Sequence, residues 1–106
     1  MITLILNILQ KSKALNILIL EKDFGFTEKS EIIITTGTSF VHINSITKNL
    51  TIFLKKNFSG VIYTKAGVNT DWVLIELENI IINIMLKEAR AYYDLESLYN
   101  KIENDK

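Results

Sequence analysis

Cysteine and proline are absent from this sequence, histidine occurs once, and neither sign of charge is in excess. Without cysteine the chain has no disulfide and no thiolate ligand, and His42 alone cannot form a multi-histidine metal site. The 12 basic and 12 acidic residues give a formal net charge of zero. A protein that grips bare nucleic acid usually carries a basic surplus, so the overall charge gives no support for that role. We expect neither a metal nor a cofactor.

The N-terminal residues 1–9 form a short apolar run that has to be distinguished from a targeting segment. No Lys or Arg precedes the run and no small-residue cleavage site follows it, which argues against a signal peptide. The run is also too short to cross a bilayer, which takes about 20 apolar residues. We therefore expect no membrane association and a location in the cytoplasm, or in the interior of an organelle.

The length and composition indicate one globular domain over residues 1–106. Apolar residues make up 48% of the chain and charged residues 23%, which is ordinary for a folded protein. Two domains within 106 residues would each have a core too small to bury enough apolar surface. The sequence shows no internal repeat, linker or low-complexity segment.

Apolar periodicity and turn residues predict elements in the order α-β-β-α-β-β-β-α. Helices are predicted at residues 2–14, over about 18 residues after an N-cap at Ser39, and at residues 87–102, with a frayed tail at 103–106. Strands are predicted at 16–21, 32–36, 61–64, 72–76 and 80–85. A polar connection that includes Thr27 follows the first strand, the third strand runs on to Gly67, and Leu77–Asn79 form the last hairpin turn. This order favours an α/β domain with a five-stranded mixed sheet and helices packed on it.

The C-terminal third carries the motifs of a known family. Residues 71–77 (DWVLIEL) and 80–85 (IIINIM) are similar to its strands D-W-[VI]-[VL]-[VL]-D-x and V-V-V-H-[IV]-[FM]. Residues 88–99 (EARAYYDLESLY) resemble the signature E-x-R-x-x-Y-x-L-E-x-L-W, which closes the ribosomal silencing factors of the Iojap family. Residues 35–42 (TTGTSFVH) resemble the T-G-x-S-x-x-H turn of this family, and residues 16–21 (NILILE) stand where it has D-I-V-V-L-D.

Six positions depart from the family pattern. Asn replaces Asp or His at three of them, and the full set is Asn16, Ser30, Ala66, Asn79, Asn83 and Tyr99. An Asn in place of Asp or His keeps hydrogen-bonding capacity but loses the ionisable group. Roles that need a carboxylate charge or an ionisable imidazole at these positions are therefore not carried over to this chain.

The resemblance implies a function in translation. It implies a non-enzymatic protein that binds the large ribosomal subunit through ribosomal protein number fourteen and blocks joining of the small subunit, which represses translation. It also implies a homodimer in the free state, no direct readout of nucleic acid, and a nucleotidyltransferase-like topology. The expected partner-binding residues lie on the last hairpin and the helix after it: Trp72, Glu76, Leu77, Glu78, Asn79, Asn83, Met85, Arg90 and Tyr93.

The hairpin residues suggest an interface by their own chemistry as well. Trp72, Leu77 and Met85 are expected to form an exposed apolar cluster of the composition found at interface hot spots, although a half-buried core position is the usual alternative for a lone tryptophan. Residues 71–96 hold six acids and two bases, whereas residues 1–70 hold eight lysines and four acids. An acidic face suits a basic protein partner and repels a phosphate backbone, unless the asymmetry is accidental.

The alternative function is that of a reduced nucleotidyltransferase-like enzyme, which would bind magnesium–nucleotide. Such enzymes place a Gly-Ser turn shortly before two spaced carboxylates. Here the Gly37–Ser39 turn follows Glu21 and Asp23 and lies far before Glu76 and Glu78. We interpret these two pairs as solvated edge charges, and the turn as a tight turn that lacks the lysine of a phosphate loop.

Ser39 and His42 are the remaining candidates for catalysis. They share a helical face at a spacing of i and i+3, so a nucleophile–base pair is conceivable. No carboxylate nearby in sequence would orient the imidazole, and Ser39 is already well placed as a helix cap. Capping and packing are therefore the favoured roles, and no catalytic residue is predicted.

Overall fold

A five-stranded mixed sheet forms the centre of the computed structural model, which describes residues 1–25, 28–66 and 70–104. The strands are β1 Leu15–Lys22, β2 Ser30–Gly37, β3 Ile62–Lys65, β4 Trp72–Leu77 and β5 Ile80–Leu86. Their order is β1-β2-β5-β4-β3; β2 and β5 run parallel, and the other pairs are antiparallel. The predicted mixed sheet in a single α/β domain is confirmed. Thr27 and Gly67, which the sequence assigned to the polar connection and to the end of the third strand, lie outside the described residues.

The described residues form four helices rather than three: α1 Ile2–Lys11, α2 Phe40–Asn57, α3 Lys87–Tyr93 and α4 Leu95–Asn104. The prediction of one helix over 87–102 is wrong, because Asp94 interrupts it with a left-handed backbone at φ 48° and ψ 55°. A short polar side chain tolerates this conformation. The break lets α4 begin at a buried Leu95, which packs under the sheet. Helix α4 extends to Asn104, and residues 105 and 106 of the predicted frayed tail lie outside the described residues.

The first helix is shorter than the predicted 2–14. It ends in a Schellman motif, in which Lys13 has a positive φ of 61° and its N–H bonds to Gln10 O at 3.0 Å. The N–H of Ala14 reaches back to Leu9 O at 3.0 Å. The chain therefore reverses direction before β1 begins at Leu15. Within the part of the chain that the structure describes, no helix has the length and apolarity required to span a bilayer.

Both faces of the central strands are buried, each under a different pair of helices. On one face, β4 and β5 present Val73, Ile75 and Ile82 to a core that α1 and α2 cover. On the other face, Ile34 of β2 packs with the α3 and α4 residues Ala89 and Leu95. A parallel strand pair is normally covered on both sides, which explains why β2 and β5 are apolar almost throughout.

Helix α2 begins where the sequence predicts. The Ser39 hydroxyl accepts the His42 N–H at 3.1 Å, so the predicted N-cap is confirmed. Ile43, Ile46, Leu50 and Leu54 then form its buried face. Gly37 allows this helix to approach β2 closely, because a Cβ at that position would lie 2.7 Å from Ile43 Cγ1. Any larger residue at Gly37 would push α2 away from the sheet.

The structure overturns the expected exposed cluster of the last hairpin. β4 extends through Leu77, which pairs with Ile80, so the turn consists of Glu78 and Asn79 alone. Leu77 is 2% exposed and belongs to the core beneath α1 and α2, because it continues the alternation of Val73 and Ile75. Met85 is fully buried on the opposite face. Neither side chain is available to a partner on the surface of the folded chain.

We predict that Leu77→Ala destabilises the protein by about 2 to 5 kcal/mol, because it removes a buried aliphatic side chain and leaves a cavity. Urea unfolding at equilibrium measures this change. Val61→Ala is the matched control, since Val61 is 87% exposed and its truncation should cost less than about 0.5 kcal/mol. A Leu77→Ala variant as stable as the Val61→Ala variant would contradict the burial of Leu77.

Candidate partner-binding face

Among the described residues, helices α3 and α4 leave part of one face of the sheet only partly covered. On the side of α3 and α4, the strands β4 and β3 carry the half-buried or exposed side chains Trp72, Leu74, Tyr63 and Lys65. Tyr63 lies opposite Glu76, and Lys65 lies opposite Leu74. Together with Glu76 of β4 and with Tyr92 and Tyr93 of α3, these residues are called the open face below.

Three aromatic rings form the centre of the open face. The ring centroids of Trp72 and Tyr93 are 4.9 Å apart, and the rings are tilted by 46°. Tyr92 meets Tyr93 edge to face at 5.1 Å. Tyr92 is 82% exposed and Tyr93 is 47% exposed. Aromatic rings that are fixed by one another but still open to solvent are typical anchors of protein interfaces.

Asn83 holds the Trp72 side chain in place through a hydrogen bond on the buried side of the indole. Its Oδ1 accepts the Trp72 Nε1–H at 3.0 Å, and its Nδ2 donates to Ile33 O at 3.3 Å. Asn83 is only 1% exposed, so its side chain does not lie on the surface of the folded chain. The amide has no ionisable proton, and it meets both neighbours in its neutral form. Asn83 is therefore a positioning residue that holds the indole between β5 and Tyr93.

A cavity of about 250 Å³ lies beside the tryptophan. Its apolar walls are Trp72 and Leu74, and its polar walls are Lys65, Thr70 and Asp71. The Thr70 hydroxyl donates to Trp72 O at 3.1 Å, which ties the entry of β4 to the cavity wall. The cavity can hold one side chain of a partner, with apolar contact on one side and charged groups of both signs on the other.

Arg90, another predicted contact residue, is used inside the fold. Its guanidinium donates to Glu96 Oε1 at 3.0 Å, to Asn16 O at 2.7 Å and to Thr36 Oγ1 at 3.0 Å. These bonds join α3 to α4 across the break at Asp94, and join both helices to β1 and β2. The side chain of Arg90 is 16% exposed. Its role is to fix the orientation of α3, which carries Tyr92 and Tyr93.

The acidic residues lie around the open face in different environments. Glu78 is exposed in the hairpin turn, where its φ is 49°. Asn79 next to it donates from Nδ2 to Lys29 O at 2.8 Å and so ties the turn to the approach to β2. Glu76 is half-buried near Tyr99 of α4. Burial, and secondly the negative charge of Glu76, raise the pKa of the Tyr99 phenol above its ordinary value.

The residues considered for catalysis have structural partners instead. His42 Nδ1 accepts the Thr38 N–H at 2.9 Å, so the neutral ring carries its proton on Nε2, which donates to Ser12 O at 2.8 Å. The imidazole therefore joins the end of α1 to the start of α2, and Ser39 caps α2. Glu21 forms an ion pair with Lys29 at 3.4 Å. Among the described residues, no three His, Asp or Glu side chains come together as a metal site would require.

Sequence reasoning missed part of the open face. In a single helix over residues 87–102, Tyr92 and Leu98 would lie on one stripe with Leu95, which is buried. Tyr92 and Leu98 are instead 82% and 51% exposed, because the break at Asp94 changes the face that each segment presents. The alternation of Trp72, Leu74 and Glu76 along β4 was the signal that could have revealed this face.

A family model described as ribosomal silencing factor during starvation matches residues 1–106 of the chain. The chain belongs to this family. It is 37% identical over 68 residues to a ribosomal silencing factor of Haemophilus influenzae, a match that covers 63% of this chain and 66% of that relative. It is 25% identical over 67 residues to the one of Chromobacterium violaceum, which covers 63% of this chain and 55% of that relative. The matches thus span about half to two thirds of the length of these relatives.

The fold agrees with the family assignment. A crystal structure of a protein from Chromobacterium violaceum superposes with a TM-score of 0.81 and 22% identity, over 92% of this chain and 82% of that one. A crystal structure from Bacillus halodurans gives a TM-score of 0.79 and 24% identity. At these identities the likeness shows the fold alone. The two solved structures therefore share the fold of this chain.

We predict that Asn83→Ala lowers the free energy of unfolding by about 1 to 3 kcal/mol, because the indole N–H of Trp72 then stays buried without an acceptor. Trp72→Phe removes that donor, so the loss from Asn83→Ala should be smaller in the Trp72→Phe background. Urea unfolding of the four proteins of this double-mutant cycle measures the difference. Strictly additive losses would mean that the two side chains do not interact.

We predict that Tyr99 makes stability depend on pH in the alkaline range. The ordinary pKa of tyrosine is 10.0, and the folded state raises the pKa of Tyr99 above that value. Between the two pKa values the unfolded chain binds fewer protons than the folded one, so the free energy of unfolding falls as pH rises. The contribution is complete below the unfolded pKa and is lost as pH passes the folded one.

Tyr99→Phe should therefore remove part of the alkaline loss of stability, and Glu76→Gln should lower the pKa of Tyr99 toward the value set by burial alone. Tyrosinate absorbance measures the titration directly, and urea unfolding on either side of the ordinary pKa measures the stability. If Tyr99→Phe left the stability curve as in the parent, and if the absorbance that it removed titrated at the ordinary tyrosine pKa, Tyr99 would be a normally titrating surface residue.

Proposed function

We propose that this protein represses translation by binding the large ribosomal subunit through its open face and thereby keeping the small subunit from joining. The observation that carries the proposal is the aromatic cluster of Trp72, Tyr93 and Tyr92, which Asn83 fixes and which stays open to solvent. A fixed aromatic centre loses little conformational entropy when it binds, so most of its contact energy contributes to affinity. Membership of the silencing-factor family supports the ribosome as the partner.

The charges around this centre support a basic protein as the surface that it meets. Asp71, Glu78 and Glu88 are exposed, and Glu76 lies on the open face itself. An apolar centre with an acidic rim fits a basic protein surface, because the centre supplies affinity and the rim supplies orientation and association rate. The resemblance of residues 71–99 to the Iojap pattern supports ribosomal protein number fourteen of the large subunit as this partner.

The proposed action is steric and involves no catalysis. A protein bound at the joining face of the large subunit occupies the space that the small subunit needs, so joining slows while the silencing factor stays bound. Its effect then depends on affinity and concentration, not on turnover of a substrate. The proposed location of the protein is the cytoplasm, where the ribosomes are. The family description connects this silencing with starvation.

A homodimer in the free state is part of the proposal. β1 is an edge strand that pairs with β2 on one side only, and it is 8 residues long with Leu15 and Ile19 more than 40% exposed. A long apolar edge strand is a template for pairing with a second chain. Dimerisation through β1 would leave the open face free, because β3 and β4 lie at the other end of the sheet.

One observation favours the alternative, an enzyme of nucleotidyltransferase type. A cavity of about 360 Å³ lies at the carboxyl ends of the parallel strands β2 and β5, where α/β proteins often bind ligands. Thr36, Thr38, Lys87 and Glu88 contribute to its lining. Glu88 is the single carboxylate among its lining residues, so the cavity lacks the acidic pair that holds magnesium in such enzymes. Protection from thermal unfolding by magnesium–ATP would nevertheless favour this alternative.

We predict that Tyr93→Ala weakens binding to purified large subunits by a factor of about 30, which corresponds to the loss of one interface hot spot of about 2 kcal/mol. Tyr92→Ala should weaken binding with almost no effect on folding, because Tyr92 is 82% exposed. Co-sedimentation with large subunits gives the affinity, and light scattering after addition of small subunits gives the joining rate.

Phe40→Ala is the matched control, since Phe40 is an aromatic residue of α2 that is 40% exposed and distant in the fold from the open face. It should bind and inhibit joining like the parent. Should both tyrosine variants bind as tightly as the parent while remaining folded, the open face is not the interface. An unchanged joining rate at saturating parent protein would refute the proposed function as a whole.

A further inference from the structure

The helices α1 and α2 carry charge of one sign only. Together with the turn between α1 and β1 they hold five exposed lysines and no Asp or Glu: Lys11, Lys13, Lys48, Lys55 and Lys56. All 12 acids of the chain lie elsewhere in the sequence. The zero net charge of the whole chain therefore hides a division between a basic helical layer and an acidic remainder.

The lysines surround a groove between the two helices. Its cavity of about 410 Å³ is lined by Lys11 and Ser12 of the α1 end and by Asn49, Ile52, Lys56 and other residues of α2. Asn49 Nδ2 donates to Ser12 Oγ at 2.9 Å, which leaves the amide oxygen and a second N–H for other partners. Ile52 in the floor is 54% exposed. The groove thus combines two cations, polar amide and hydroxyl groups and a narrow apolar floor.

Two rows of polar side chains run along α2, and they contain its three lysines. Asn49 and Lys56 are seven residues apart, as are Lys48 and Lys55, and seven residues of helix return to nearly the same azimuth about 10.5 Å further along the axis. One row lines the groove, and the other stands beside it. The ion pairs Glu21–Lys29 and Arg90–Glu96 of the described residues do not involve the four lysines of α1 and α2. These four lysines are exposed to solvent, where a polyanion can reach them.

We propose that this α1/α2 face binds the phosphodiester backbone of RNA. Lysine ammonium groups with amide and hydroxyl donors contact phosphate and sugar oxygens without reading bases. An acidic protein would present discrete carboxylates among bases of its own, whereas α1, the turn after it and α2 offer lysines with no acid among them, which suits a uniform polyanion. The open face and the exposed acids around it lie on the opposite side of the sheet, so RNA would be attracted to one side of the molecule and repelled from the other.

The inference extends the proposed function and rests on it only for the source of the RNA, since a ribosomal subunit presents RNA beside its proteins. Docking through the open face would be accompanied by a second, salt-dependent contact of α1 and α2 with nearby ribosomal RNA. Counterions released from the RNA would then make part of the subunit affinity depend on salt concentration. A protein-only contact has no such component of comparable size.

The test uses the full-length chain and a fluorescein-labelled RNA hairpin, followed by anisotropy over a series of salt concentrations. The parent should bind at low salt, and Lys55→Glu/Lys56→Glu should weaken binding at least about tenfold. Lys55→Gln/Lys56→Gln, which avoids placing acids at a helix end, should reduce the slope of log affinity against log salt by about 2. The control Lys29→Glu/Lys87→Glu has the same net charge as the Glu variant, and should bind like the parent.

The same variants are then titrated against large subunits next to Tyr92→Ala. The RNA contact is supported if the Gln variant binds subunits more weakly than the parent and with a smaller salt slope, while the control variant does not. This holds whatever the result for Tyr92→Ala. Loss of binding for Tyr92→Ala alone supports the open face and overturns the RNA contact. Equal weakening by the α2 and control variants would overturn it as a non-specific charge effect. If the lysine variants weaken subunit binding but not binding to the RNA hairpin, the RNA contact is overturned in favour of an acidic protein. If the parent binds phosphatidylglycerol vesicles more tightly than RNA, the RNA contact is overturned in favour of a membrane.

Discussion

The parallel pairing of β2 with β5 at the centre of the sheet is the constraint on which the rest of the structure depends. Residues 31–37 align with residues 80–86, so two segments about fifty positions apart lie side by side. A parallel pair cannot close by a tight turn, and it must be covered on both faces. The connection from β2 supplies α2 for one face, and the chain after β5 supplies α3 and α4 for the other. The antiparallel strands β1, β4 and β3 then extend the sheet to its edges.

The two pairs of helices do not cover the sheet equally, and this difference creates the open face. α1 and α2 cover β4 as well as β2 and β5, so Val73, Ile75 and Leu77 are buried beneath them. α3 has only 7 residues before Asp94 breaks it, and Arg90 ties it toward β1 and β2. The α3/α4 side of β3 and β4 consequently lacks a cover, and the residues there remain partly exposed. Tyr93 reaches Trp72 from the end of α3 and so marks the boundary between core and surface.

Opposite signs of charge on the two sides follow from the same arrangement. Helices α1 and α2 bring lysines and no acids, whereas the hairpin and α3 bring Asp71, Glu76, Glu78 and Glu88. Because the sheet separates the two sets, they do not neutralise one another through ion pairs. A small protein on a ribosomal surface meets both basic proteins and RNA, and a molecule divided in this way can contact both with separate faces.

The sequence by itself determined the five strands, the position of α2 with its cap at Ser39, and the family, because these depend on local periodicity, turn chemistry and motif spacing. It also placed Trp72 and Tyr93 among the binding candidates. Only the tertiary structure decided that Leu77 and Met85 are buried and that the buried Asn83 accepts the Trp72 indole N–H. It also decided that Arg90 bonds α3 to α4, β1 and β2. Burial depends on which strands are neighbours and where helices end, and the left-handed residue Asp94 carries no clear signal in a helical pattern. Whether a strand side chain is buried depends on whether a helix, often distant in sequence, packs over that part of the sheet. The sequence pattern of a strand therefore gives the alternation of its side chains between two faces, but not which face a helix covers.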